Sequence, residues 1–78
     1  MERSELEEQI RVLVSEHLDM PLEKVDLDMS VEEAANSLEL STLMFAAEKR
    51  FGVTFADSAI GRLRILRDLA TLVLEARP

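Results

Sequence analysis

The sequence predicts an all-α fold: a small antiparallel bundle of three longer helices plus one short helix. Three observations carry this expectation. Apolar residues recur at spacings of three and four in three separate stretches. Only two glycines and two prolines punctuate the 78 residues, whereas Leu, Ala, Glu and Arg, all good helix formers, are abundant. Two stretches open with the pattern of a capping box, Ser4-x-x-Glu7 and Asn36-x-x-Glu39, in which each side chain reaches the other residue's backbone N–H.

The first helix is expected to start near Ser4 and run to about Leu18, with Leu6, Ile10, Leu13, Val14 and His17 on one stripe. Asp19-Met20-Pro21 ends it, because Pro21 disfavours the helical conformation in Met20. Residues 19–36 form a long connection. Pro21 to Val25 has the length of one helical turn. Val25, Leu27, Met29 and Val31 then alternate with Asp26, Asp28 and Ser30, which by itself reads as a strand. A strand without a partner is not stable in so short a chain, so an extended loop pinned by its apolar residues is expected.

The middle helix starts after Asn36, a strong N-cap, with Glu39 at the third helical position. Leu40, Leu43, Met44, Ala47 and Phe51 form its core stripe. Gly52 closes it in the left-handed conformation. Val53-Thr54-Phe55 is a short link. Asp57 or Ser58 can cap a short third helix containing Ile60, which Gly61 ends or loosens. A final helix covers roughly Arg67 to Ala76, with Leu69, Leu72 and Val73 inward.

Composition narrows the function. One domain, residues 1–78, is all the length allows, and roughly 60% of the unfolded surface is buried at this size. The absence of cysteine excludes a disulfide framework and a Cys-based metal site. No apolar run approaches the ~20 residues that span a bilayer. Met1-Glu2-Arg3-Ser4-Glu5 lacks the apolar centre of a secretory signal, so a cytoplasmic protein is expected. The net charge of −7 is uneven: residues 1–39 hold twelve acids and three bases, residues 40–78 four acids and six bases. Such an acidic half repels nucleic acid and anionic lipid and attracts basic protein surfaces; equally, it serves solubility alone.

The stretch Asn36-Ser37-Leu38-Glu39 is the most informative. It sets a serine hydroxyl at the start of a helix, where the dipole favours negative charge and a phosphate-linked group would be well placed. Around it the chain has a helix, a long acidic loop, a helix ending in Phe51-Gly52-Val53, a short helix and a last helix. From about Leu6 to Leu74 this order resembles the acyl carrier protein family, which includes the peptidyl carriers. Asn36-Ser37-Leu38 stands at the family's Asp-Ser-Leu signature, supported by Glu48-x-x-Phe51-Gly52-Val53 and Asp68-Leu69.

The resemblance implies a chemistry. A phosphopantetheinyl transferase, using coenzyme A and magnesium, joins 4′-phosphopantetheine to the serine, here Ser37, and the arm's thiol then carries acyl groups as thioesters. Asn36 and Leu38 would flank the arm, with the phosphodiester over the N–H groups of residues 37–39. Partners would be the transferase and acyl-transferring or acyl-modifying enzymes of fatty-acid, polyketide or related biosynthesis, and a monomer is the family default.

Several positions depart from the family. Asn36 replaces an aspartate; it caps equally well but lacks the charge. Ala34 stands where a glycine is usual, and the loop before it is one or two residues short, consistent with an early helical turn through Glu32–Ala35. The middle helix, commonly strongly acidic, shows Thr42, Lys49 and Arg50 beside Glu39 and Glu48. Ile65 takes the place of the Thr or Ser that usually caps the last helix. A specialised carrier with its own partner set is expected.

Leu38 and Phe45, seven apart and off the main stripe, share one face. They form either an apolar docking patch or a partial packing contact against the loop. Glu39 and Glu48 either meet partner arginines or are solvated. His17, the sole histidine, has no serine, cysteine or second histidine at a catalytic or metal-binding spacing. Asp26-x-Asp28-x-Ser30 begins like a calcium loop, but Val31 and Ser37 occupy the places of its glycine and closing glutamate. Arg62, Arg64 and Arg67 are too few for a nucleic-acid footprint and read as a solvated face. Phe51 and Phe55 either fill the space between helices or line an acyl pocket. With no nucleophile, base and orienter together, an enzyme is not expected. A carrier, a carrier-like fold used only for protein contact with Ser37 unmodified, and an unrelated acidic helical adaptor are the readings that remain.

Overall fold

The computed structural model describes residues 2–77. Helix α1 spans Arg3–His17, α2 Val31–Ala34, α3 Ser37–Phe51 and α4 Asp68–Ala76, with 3-10 turns at Leu22–Lys24 and Asp57–Arg62. The three long helices α1, α3 and α4 pack on one another. Leu6, Ile10, Leu13 and Val14 of α1 meet Leu43 and Ala47 of α3 and Leu69 and Val73 of α4 in one core, all essentially inaccessible to water. Each buried aliphatic side chain of this kind contributes about 1.5–3 kcal/mol relative to an exposed one.

Two expectations for α1 are corrected. Ser4 does not cap it: the helix begins one residue earlier, Glu2 is the N-cap, and no side chain bonds there. Glu7 is drawn instead to Arg3, 3.0 Å away, and to Arg67, 2.6 Å away. Charged donors outcompete a neutral backbone N–H for a carboxylate. His17 lies at the helix end exposed rather than on the core stripe. The chain leaves α1 through Asp19 in the left-handed region, φ 52°.

The segment 25–31 is not extended throughout: Met29 N–H donates to Asp26 O at 3.0 Å and Asp28 N–H to Asp26 Oδ1 at 2.9 Å, so the chain turns at 26–29, and Val31 already begins α2. Val25, Leu27 and Val31 are buried and pin it to the core as expected. It also finds a partner. Val31 N–H donates to Arg64 O at 2.9 Å, Leu66 N–H to Met29 O at 3.1 Å and Arg67 N–H to Leu27 O at 2.7 Å, around a single antiparallel bridge between Ser30 and Ile65. The short third helix is the 3-10 turn Asp57–Arg62. Its N-cap is Ala56, so neither Asp57 nor Ser58 caps it, and Gly61 lies within it. The Asp68 carboxylate takes the N–H groups of Arg64 and Ile65 at 2.9 and 3.1 Å, tying the first residue of α4 to the loop before it, while no side chain caps the helix itself.

Of the arginines of 62–67, Arg62 and Arg64 are exposed, as a solvated face would have them, whereas Arg67 is half-buried and structural. Arg62 pairs with Glu75 at 2.8 Å. Arg67 reaches Glu7 on α1 and, at 3.0 Å, Asp28 in the long loop, joining three parts of the chain. Hydrogen bonds from Arg67 hold both carboxyls below their ordinary ranges, and the two acids raise the guanidinium in turn. Among the described residues, no helix is long and apolar enough to cross a membrane.

Candidate functional site

The site is built at the N-terminus of α3. Asn36 is extended, with φ −80° and ψ 177°, and its Oδ1 accepts the Glu39 N–H at 2.8 Å. Glu39 Oε1 accepts the Asn36 N–H at 2.9 Å. This is the capping box expected at Asn36-x-x-Glu39. It fixes the backbone around Ser37, the first residue of the helix. Ser37 is exposed, and among the described residues its hydroxyl takes part in no hydrogen bond.

The approach to Ser37 is rebuilt around α2. Ser30 Oγ caps this short helix by accepting the Glu32 N–H at 3.2 Å. Ala34 is its last residue and needs no glycine there, since alanine adopts the helical conformation freely. Ala35, buried and extended, leads directly into Asn36. Glu32 and Glu33 stand exposed on α2.

The donors left open at the helix end are fewer than the sequence suggests. Glu39 N–H is taken by Asn36, so only the N–H groups of Ser37 and Leu38 remain for an anion. An exposed hydroxyl beside two free N–H groups at a positive helix end fits a phosphodiester-linked group.

Along the outer face of α3, Leu38 is 76% exposed and Phe45 58%. Lys49 places its ammonium 4.8 Å from the centre of the Phe45 ring, a favourable cation–π distance. Arg50 pairs with Glu16 of α1 at 3.1 Å. Glu48 Oε2 accepts the Phe55 N–H at 2.7 Å, tying the link after α3 back onto the helix. That bond was not visible in the sequence, because it spans the Gly52 turn and no spacing rule announces it.

Phe51 and Phe55 are half-buried against the core. Beside them a groove of about 270 Å³ runs between α3 and the 3-10 turn, lined by Met44, Phe45, Phe55 and Ile60 among others. Ile60 is 43% exposed. The 3-10 turn therefore brings another exposed apolar side chain to the groove beside Phe45, which helix periodicity within α3 could not show. A second cleft, beside α1, is crossed by Arg11 and Arg67. Arg11 donates to Glu8 and to the carbonyls of Leu22 and Val25, so its charge serves the loop.

Comparison with known proteins gives a consistent result. The family model described as "Phosphopantetheine attachment site" matches residues 8–73. Acyl carrier proteins of Petrotoga mobilis and Thermosynechococcus vestitus are each 31% identical to the chain, over 96% and 94% of it and 91% and 93% of their own lengths. The crystal structure of an acyl carrier protein from Thermotoga maritima superposes with a TM-score of 0.80 at 27% identity, covering 97% of this chain and 91% of that one. The helical fold, the matched span and these relatives agree: the chain belongs to the acyl carrier protein family, whose prosthetic group is 4′-phosphopantetheine.

Proposed function

We propose that this chain is a discrete acyl or peptidyl carrier with its arm on Ser37, holding a thioester-linked intermediate for successive pathway enzymes. The observation that carries the reading is the placement of Ser37: exposed, first in a fifteen-residue helix, with its hydroxyl uncommitted and its backbone held by the Asn36–Glu39 box.

The attachment balances simply. The Ser37 Oγ forms a bond to the phosphorus that bears pantetheine in coenzyme A. The diphosphate P–O bond breaks, adenosine 3′,5′-bisphosphate departs, and the hydroxyl proton passes to a base of the transferase. When bound, the group supplies a thiol for thioester formation. The protein's own residues root and orient it: Ser37 and Leu38 offer N–H donors, while Leu38, Phe45 and Ile60 present apolar surface to a partner enzyme. Glu39 and Glu48 each have one carboxylate oxygen committed within the chain, and their remaining lone pairs are available to partner arginines. The chain itself catalyses nothing in this scheme. It acts as a monomer in the cytoplasm and serves a transferase and acyl-handling enzymes.

One feature favours a second reading, protein contact without an arm: Asn36 in place of the family's aspartate removes a charge beside the attachment point. Intact mass decides between them. Incubation with a broad-specificity phosphopantetheinyl transferase, magnesium and coenzyme A is expected to add one phosphopantetheine per chain, and Ser37→Ala is expected to take up none. No addition with several transferases would favour the contact reading.

A further inference from the structure

We propose that Asn36 does more than cap α3: its side-chain amide donates a hydrogen bond to the phosphodiester that joins the arm to Ser37. The inference rests on Ser37 being the attachment point. It begins with the orientation of one amide group. A backbone N–H can be taken only by an oxygen, so the 2.8 Å bond from Glu39 N–H fixes which end of the Asn36 amide is Oδ1. The other end is the nitrogen with its two N–H donors. Among the described residues these donors meet no acceptor, and Asn36, the residue preceding Ser37, is exposed.

Aspartate at this position would cap the helix just as well. Apart from the small effect of a charge on the helix dipole, the two residues differ in what the second end of the side chain presents. Aspartate would present a second, negatively charged oxygen where asparagine presents a donor. Beside a phosphodiester the first repels and the second binds, and hydrogen bonds to charged groups are the strong ones.

The surroundings make this donor count. No Lys, Arg or His occurs between Lys24 and Lys49. Glu32 and Glu33 are exposed just upstream, and the Glu39 carboxylate lies 2.9 Å from the Asn36 backbone nitrogen. In this stretch of chain a phosphodiester finds only neutral donors: the N–H groups of Ser37 and Leu38 and the amide of Asn36. Removing the negative charge at position 36 lowers the repulsion, and the amide adds a partner.

The sequence offers a clean probe, because Asn36 and Gln9 carry its only side-chain primary amides. Uniformly 15N-labelled protein, loaded from unlabelled coenzyme A and checked by intact mass, should show the Asn36 NH2 pair shifted and its exchange with water slowed severalfold. The Gln9 pair should stay in place as the internal control. In parallel, loading should raise Tm by about 4 °C more in the wild type than in Asn36→Asp at low salt, on the scale of a charge-assisted hydrogen bond in a domain of this size. High salt should shrink that difference. A complete mass shift with an unmoved Asn36 pair overturns the proposal, as does an equal Tm increment in the two proteins. Failure to add any mass at Ser37 overturns the attachment reading, and this inference with it.

Discussion

Asn36 and Gly52 bracket α3, and each is fixed by local chemistry. Asn36 supplies an oxygen to an orphan N–H at one end; Gly52 adopts φ 66° at the other, with its N–H donating to Glu48 O. Open space surrounds the position where a Gly52 Cβ would sit, so the cost of Gly52→Ala is backbone strain alone. We expect a loss of about 1 kcal/mol, read as a Tm drop of about 4–8 °C. Gly61 also has free space around it but no positive φ. Gly61→Ala is therefore expected to be neutral or to stabilise by up to about 1 kcal/mol. Equal losses in the two variants would contradict this account. Caps of this kind are legible in a sequence because both partners lie within four residues. Ser4 and Glu7 show the limit. Their spacing is right for a cap, yet Glu7 finds a better donor in Arg67, sixty residues along the chain.

At the scale of elements, the long helices follow from apolar periodicity, and the segments between them do not. The alternation from Val25 to Val31 correctly indicates which side chains are buried, but not the turn at 26–29 that the Asp26 side chain and carbonyl close, nor its partner, residues 64–67, which carries no strand pattern of its own. The two meet because α1 and α4 pack together and leave both loops on one side. Ile60 reaches the outer face of α3 for a similar reason, through a turn whose position depends on Glu48. That carboxylate's bond to the Phe55 N–H is half-buried and contributes about 1–2 kcal/mol. Glu48→Ala is expected to speed hydrogen exchange at the Phe55 amide by about five- to thirtyfold, whereas Glu48→Gln, which keeps an acceptor, should preserve most of the protection. Unaltered exchange in Glu48→Ala would show that the link is held by other means.

For the molecule as a whole, Arg67 is the clasp, bonded at once to α1 through Glu7 and to the long loop through Asp28. It holds the two carboxyls below their ordinary values of 4.5 and 3.8. A depressed carboxyl contributes stability that is present above its unfolded pKa and is lost as the pH falls through its folded one. Arg67→Met should therefore lower Tm by a few degrees at pH 7, and the gap to the wild type should narrow steadily below about pH 4.5 as both acids take up protons. A gap that stays constant down to pH 3 would assign the loss to packing by the arginine stem. Because the clasp and the capping box lie in separate parts of the chain, rigidity at the head of α3 depends on its own two reciprocal bonds. The tether proposed for Ser37 would consequently swing from a pivot held by those two bonds: its sweep would be set by the tether's own length and joints, and the bundle would not need to bend for the cargo to travel from one catalyst to the next.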